Sequence, residues 1–307
     1  MSRALVICGP TASGKSQTAL GVAEELGGEI INADSRQIYR GMSIGTGMPP
    51  PSAFERAPHH LYGFVDPEQR YSAVRYVHDA DAAIAAITAR GHLPIVVGGT
   101  GFYIEALVGT MPLDRPPGDE ALRARLRREA QVHPREVLWE WLAAISKTRA
   151  EATRPSDSYR ILRALESALV ERTEPNDSSD RDSLRPKLKS AVVVLRVHRA
   201  AIAARIAQRV TAMFAHGLIE EAQAVRAAAR DAPALSGLGY AEALAVVDGL
   251  ATRAEALALT IRRTERYAKR QQTWFRRMSA ADMVDADDLE VALRTIVARA
   301  REKLAPA

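Results

Sequence analysis

Short apolar runs and longer amphipathic stretches alternate through the first hundred residues, and their periods predict the elements. Arg3–Cys8 is an apolar run that stops at Gly9, and Lys15–Leu26 repeats its apolar positions at helical spacing, so strand, loop and helix are predicted in that order. Glu29–Ala33 predicts a second buried strand ending at Asp34. Residues 35–67 have no clear period and are rich in Gly and Pro, which predicts a long loop or broken helix; such a length in a compact domain usually serves function. Ser72 predicts the N-cap of a helix running to Arg90 and closed by Gly91, and Leu93–Val97 predicts another buried strand ending in Gly98-Gly99. Strands alternating with helices imply right-handed crossovers and a parallel sheet, an α/β fold.

The texture changes near Pro112–Gly118, where prolines and a glycine lead into two charged amphipathic helices, about Glu120–Gln131 and Pro134–Ser146. These predict a helical insertion spanning 113–155, with 1–112 and 156–307 forming the core and its helical C-terminal part. Ser158–Val170 predicts a further helix, and Glu171–Ser190 reads as a polar, mobile linker. Ala191–Val197 returns as an apolar strand and is assigned to the first sheet. From Arg199 onward the pattern is helical, with breaks near Gly217, Pro233–Gly239 and Gly249.

Composition narrows the class. A chain of 307 residues that is 47% hydrophobic and 26% charged is globular, not disordered or fibrous. The one cysteine, Cys8, excludes an internal disulfide and a cysteine-rich zinc site, and fits a reducing cytoplasm. No apolar run approaches the roughly 18 to 20 residues of a membrane helix. A net charge of +5 favours polyanionic partners weakly, but its distribution is uneven. Between Arg253 and Arg277, Arg253, Arg262, Arg263, Arg266, Lys269, Arg270, Arg276 and Arg277 stand against only Glu255 and Glu265, and Arg123, Arg125, Arg127 and Arg128 cluster in the insertion. A solvated helix face is the alternative for each.

Gly9-Pro10-Thr11-Ala12-Ser13-Gly14-Lys15-Ser16 matches G-x-x-x-x-G-K-[ST], the phosphate loop familiar from ATP-binding proteins, with the strand before and the helix after that it requires. Successive backbone N–H groups at that helix start form an anion nest, Lys15 adds a point charge, and Ser16 offers a hydroxyl to Mg²⁺. Phosphoryl transfer would need more. Gly98-Gly99 stands where an apolar strand followed by a metal-binding Asp is expected. The strand-end acid is instead Asp34, placed beside the loop that follows the first strand and suited to be a metal ligand, a base or a turn cap. A small-molecule kinase remains the competing reading.

At this point the residues resemble a known family. Gly9–Ser16, Asp34–Tyr39, Gly41–Thr46, His59-His60-Leu61, Gly98–Tyr103, Arg160–Glu166 and Tyr267–Arg276 occur in the order and spacing of tRNA dimethylallyltransferases, over nearly the whole chain. The resemblance implies a P-loop NTPase-like parallel sheet flanked by helices, with a helical insertion domain. It implies transfer of a dimethylallyl group from dimethylallyl diphosphate to the exocyclic amine of the adenosine 3′ of the anticodon, with Mg²⁺ as cofactor. The loop would then hold an isoprenyl diphosphate, and the partner is tRNA, through its anticodon stem-loop. A cytoplasmic monomer with no membrane contact is expected.

The resemblance assigns Asp34 and Thr11 to catalysis. Asp34 would orient the weakly nucleophilic amine and take its proton, and Thr11 would either bond diphosphate oxygens or merely shape the loop. Because the target base must leave its stack, RNA-facing residues are required. The resemblance implies Asp34, Ser35, Arg36 and Gln37 around the base, then Thr100, Arg123, and Ser158, Tyr159, Arg160, Ile161, Leu162 and Arg163. Arg160 and Arg163 share a helix face suited to two phosphates, the alternative being pairs with Asp157 or Glu166. Lys269 and Arg270 join them near Trp274 and Phe275, for which burial between helices is the simpler reading. His59 and His60 lack a third ligand and read as loop-ordering residues. Glu265 departs from the pattern, where an Arg commonly follows the Thr; if that Arg reaches the diphosphate, either Arg266 or Arg263 substitutes or transfer is slower.

Overall fold

A computed structural model describes residues 3–110, 120–173, 188–230, 232–278 and 281–304. Most of the expected 171–190 linker lies outside them. The chain forms two compact units, Met1–Met111 with Pro186–Ala307, and Pro112–Arg185.

In the first unit the order is β1 (Arg3–Cys8), α1 (Lys15–Leu26), β2 (Gly28–Asn32), α2 (Pro51–Arg56), β3 (His59–His60), α3 (Ala73–Ala89), β4 (Leu93–Gly98) and α4 (Gly101–Val108). The second unit holds α5 (Glu120–Val132), α6 (Arg135–Ile145), α7 (Lys147–Ala152) and α8 (Ser158–Thr173). The first unit then resumes with β5 (Lys189–Arg196), α9 (Arg199–Ala215), α10 (Leu218–Ala228), α11 (Tyr240–Val247), α12 (Arg253–Phe275), β6 (Asp282–Asp285) and α13 (Leu289–Lys303). A 3₁₀ turn at Pro233–Ser236 precedes α11.

Six strands make one sheet in the order β3-β2-β4-β1-β5-β6, and every pairing is parallel. Leu5 on β1 faces Ile95 on β4 and Ala191 on β5, so the sheet is apolar through its middle. Helices cover it with Val22, Ile206, Val210, Ile296 and Val297, all buried with Leu5, Ile7, Ile30 and Leu195. Near-continuous apolar strands are what a parallel sheet covered on both faces demands. The predicted helix after Ser72 is α3, and the Ser72 hydroxyl caps it by accepting from the Arg75 amide. A reciprocal cap between Thr252 and Glu255 starts α12.

Two strands escaped the sequence pattern. Strand β3 is only two residues long, and β6 has just two apolar residues, Met283 and Val284, flanked by Asp282 and Asp285. Strand β3 is held in part by a side chain at the start of β2. Glu29 is 2% exposed, accepts from Arg90 Nε at 3.0 Å and Nη2 at 2.6 Å, and lies 2.6 Å from a ring nitrogen of both His60 and His92.

Helix α8 clusters with the insertion, whereas the sequence placed 156 onward in the core. The reason is its apolar stripe: Ile161, Leu165 and Ala168 pack with Leu126, Leu138 and Leu142 into a core belonging to the second unit.

Candidate active site

The loop Gly9–Ser16 joins β1 to α1. Gly14 has φ 85°, a conformation that favours glycine, and a Cβ there would lie 2.5 Å from Leu289 Cδ2, so that side chain would have to move. Ala12 also takes a left-handed conformation, φ 63°, at a cost of roughly 1 kcal/mol that the surrounding loop must hold. Lys15 folds back so that Nζ donates to the Pro10 carbonyl at 3.1 Å. Burial pulls its ammonium down to about 8; Asp34 opposes that shift and Arg209 adds to it. The Ser13 hydroxyl is buried with no hydrogen-bond partner among the described residues. An orphaned donor, a lysine ammonium and a helix start are the features of a site built for an anion.

Asp34 follows β2 and is fixed by Asn32, which is wholly buried. Asn32 Oδ1 accepts from the Asp34 amide at 2.9 Å, and its Nδ2 donates to the carbonyls of Asp34 and Leu61, each at 3.0 Å. Asp34 Oδ1 accepts from the Arg36 amide at 2.9 Å, and the Ser35 amide donates to Thr100 Oγ1 at 2.9 Å. The Asp34 charge acts on Lys15 and Arg209. Together with burial, the larger cause, it pushes the phenols of Tyr62, Tyr103 and Tyr267 above their usual range.

Strands β1 and β2 are not neighbours; β4 lies between them. Its end is what lets Asp34 approach the loop. A Cβ on Gly98 would fall 2.1 Å from the Ala33 backbone, and one on Gly99 would fall 2.4 Å from Gln271 Nε2. The absence of the acid expected in a kinase therefore has a steric cause.

Thr11, Asp34, Ser35, Arg36 and Arg270 line a cavity of about 300 Å³, whose apolar wall includes Met42, Val210, Met213, Ala234 and Leu238. Helix α12 contributes Thr260, Thr264 and Tyr267, spaced to share one helix face. A second cavity of about 600 Å³ is lined by Gly14, Lys15, Ser16, Arg205 and Arg209. Arg209 borders both cavities. Its Nη2 donates to the Thr46 carbonyl at 3.4 Å, and Gly47 leaves room for it, since a Cβ there would lie 2.7 Å from the guanidinium. Sequence reasoning missed this residue. The signal was an arginine beside the buried stripe Ile202, Ile206, Val210, Met213 of α9. Also missed was Glu221, which accepts from the amides of Ser43, Ile44 and Gly45 and from the Tyr240 hydroxyl, and so shapes the turn at one edge of the first cavity.

The expected site residues fall into groups. Thr11, Asp34, Ser35, Arg36 and Arg270 share the first cavity, Thr100 bonds Ser35 beside it, and Gly14, Lys15 and Ser16 line the second. Gln37 is buried, and its Nε2 is spent on the carbonyls of Thr46 and Gly47, so it orders the loop. Lys269 is exposed, and Arg270 lies over the Tyr267 ring, 5.7 Å from its centroid. Glu265 and Arg266 are exposed and are not among the residues lining the cavity, while Arg263 pairs with buried Glu242 at 2.7 Å. Phe275 is buried, as read, whereas Trp274 is half-buried and packs over Gly101. His60 bonds Glu29 and His59 the Ala57 carbonyl, which matches their loop-ordering reading.

Within the second unit, Arg123 and Arg163 bind opposite oxygens of buried Glu166 at 2.8 and 2.5 Å, so pairing describes Arg163. The Ile161 side chain is wholly buried and cannot touch RNA. Leu162 is half-buried. Ser158, Tyr159 and Arg160 are exposed, and Arg160 reaches Asp157 only at 3.4 Å.

No group of three His, Cys, Asp or Glu among the described residues is placed to hold a metal. The hard oxygen donors here are the exposed Ser16 hydroxyl and the Asp34 carboxylate. That set does not cage an ion, but it suits Mg²⁺ that keeps its waters and takes substrate oxygens as ligands.

Fold and site define a phosphate-loop α/β protein whose loop faces a carboxylate and an apolar pocket. The IPP transferase model matches residues 37–278, and the isopentenyl transferase model matches residues 2–62. The chain belongs to the IPP transferase family. It is 46% identical to the tRNA dimethylallyltransferase of Anaeromyxobacter sp. (strain Fw109-5), over 94% of this chain and 98% of that one. It is 39% identical to that of Geobacter sulfurreducens, over 92% of each. The crystal structure of tRNA isopentenylpyrophosphate transferase from Bacillus halodurans superposes with a TM-score of 0.73 at 32% identity, covering 99% of this chain and 97% of the other.

Proposed function

We propose that this enzyme transfers the dimethylallyl group of dimethylallyl diphosphate to the exocyclic amine of the tRNA adenosine immediately 3′ of the anticodon. One observation carries the reading: Thr11 of the phosphate loop and Asp34 line the same cavity as an apolar wall of Met42, Val210 and Met213. An anion cradle, a carboxylate and a hydrocarbon pocket are the three surfaces an allylic diphosphate and an amine need together.

In the reaction the C1–O bond to the diphosphate breaks as the amine nitrogen bonds C1, and the amine proton passes to an Asp34 oxygen. The diphosphate leaves with the electron pair of the broken bond, held by the loop amides, the Ser13 hydroxyl, Lys15 and Arg209. Mg²⁺ held through Ser16 would neutralise part of the diphosphate charge. Thr11 faces the reacting carbon. The cavity is closed to a stacked base, so the adenosine is extruded. Thr100, acting through Ser35, and Arg36 receive it, while Arg270, Lys269 and, on the second unit, Tyr159 and Arg160 grip the RNA backbone.

Incubation with Mg²⁺ and labelled dimethylallyl diphosphate, together with unmodified tRNA, AMP or neither, tests the reading. Label entering tRNA alone supports it. Label entering AMP, or phosphate released from ATP in a parallel incubation without RNA, rejects it, the latter in favour of a small-molecule kinase.

A further inference from the structure

Gln271 lies on α12, far in sequence from the loop and the β4 turn, yet its amide touches both. Its Oε1 accepts from the Thr11 amide at 2.8 Å, and its Nε2 donates to the Gly99 carbonyl at 2.7 Å. The side chain is buried, 6% exposed, so neither bond is replaced by water at low cost. Gly99 has no room for a Cβ because Nε2 occupies that space.

The two contacts belong to opposite halves of the site. Thr11 sits in the loop that holds the leaving group. Gly99 precedes Thr100, whose hydroxyl accepts from the Ser35 amide next to Asp34. The Thr11 N–H is committed to Gln271 and not to the anion nest, which turns the Thr11 side chain toward the cavity it lines. With β4 between the strands that carry the two halves, Gln271 ties the loop end of β1 to the end of β4.

We propose that Gln271 is a positioning residue that sets the spacing between the departing diphosphate and the acceptor amine, acting through Thr11 and the Gly99–Thr100 turn. The proposal rests on the transferase reading above. Its loss should slow the chemical step and leave ground-state binding intact, because the loop amides, Lys15 and Arg209 remain in place. A misplacement near 1 Å is enough to cost about 100-fold in rate.

The test is a double-mutant cycle in the full chain. Gln271→Met, of similar volume but unable to make either bond, should lower kcat about 30-fold. KM for dimethylallyl diphosphate and inhibition by pyrophosphate should stay within about threefold. In a Thr11→Ala background the same change should cost clearly less than it does alone, roughly tenfold or under, because the Thr11 side chain it positions is gone while the Gly99 arm remains. Losses that multiply, or a fall in kcat matched by weaker pyrophosphate inhibition, overturn the proposal. If Gln271→Met melts below the assay temperature, Gln271→Glu keeps the acceptor for Thr11, loses the donor to Gly99, and must show the same split of kcat from KM. Wild-type transfer is the control: its absence sinks the transferase reading, while its presence with multiplicative losses sinks the role of Gln271 alone.

Discussion

Asn32 grips the peptide of Asp34 at both ends, accepting from its amide and donating to its carbonyl. The orientation of the carboxylate is therefore set by a side chain with no exposure of its own. Asp34→Ala should abolish transfer, by roughly 1,000-fold or more, with pyrophosphate affinity within about threefold of wild type. Asn32→Ala should lower both stability, by about 1–3 kcal/mol, and kcat. Chemical denaturation and single-turnover rates check the pair; an Asn32 variant as active as wild type would show that Asp34 is held by other means.

Lys15 gives the diphosphate site a pH limit. Its folded-state value of about 8 lies below that of a free lysine, so the empty site releases its proton as pH rises through 8. Pyrophosphate affinity should be full below pH 8 and fall toward tenfold per pH unit above it, since the bound anion holds the ammonium charged. The unfolded chain keeps that proton up to about pH 10.4, so stability should rise between pH 8 and 10.4. Isothermal titration at several pH values checks this, with Lys15→Met expected to show no such step.

Glu29 works in the opposite direction. Hydrogen bonds from Arg90 first, then His92 and His60, hold its carboxyl down at about 2. Its contribution is present above the unfolded value near 4.3 and is lost as pH falls through 2, on the order of 3 kcal/mol. Glu29→Gln should remove that acid-dependent part of the denaturation curve and lower stability at neutral pH.

The two basic residues at the start of α8 should separate cleanly. Arg160 is exposed, so Arg160→Ala should weaken tRNA binding and reduce the salt slope by about one phosphate contact. Arg163 is bound to Glu166, so Arg163→Ala should cost about 1–3 kcal/mol in the stability of the second unit by leaving one oxygen of a buried carboxylate without its partner while Arg123 keeps the other. Filter binding at graded salt and thermal melts distinguish the two; equal salt slopes would put both arginines on RNA.

Much of this was legible in the chain. The strand-loop-helix at the N-terminus, the cap at Ser72 and the return of the fifth strand all followed from apolar period and turn chemistry, which act locally. What stayed hidden depends on contacts distant in sequence. Strand β3 needs a buried glutamate across the sheet as well as its own propensity. Helix α8 chose its neighbours through Ile161 and Leu165, a choice that no boundary signal marks. Arg209 lies in none of the matched blocks, and Gln271, though inside Tyr267–Arg276, carries no local mark of its role, because the residues they touch are far away along the chain.

The glycine pair at the end of β4 has a consequence for how far such an architecture can drift. Adding an acid at 98 to recruit a metal for nucleotide cleavage would drive its first carbon into the neighbouring strand's peptide. A single codon change cannot make that conversion; the backbone would have to part first, and with it the turn through which Thr100 holds Ser35.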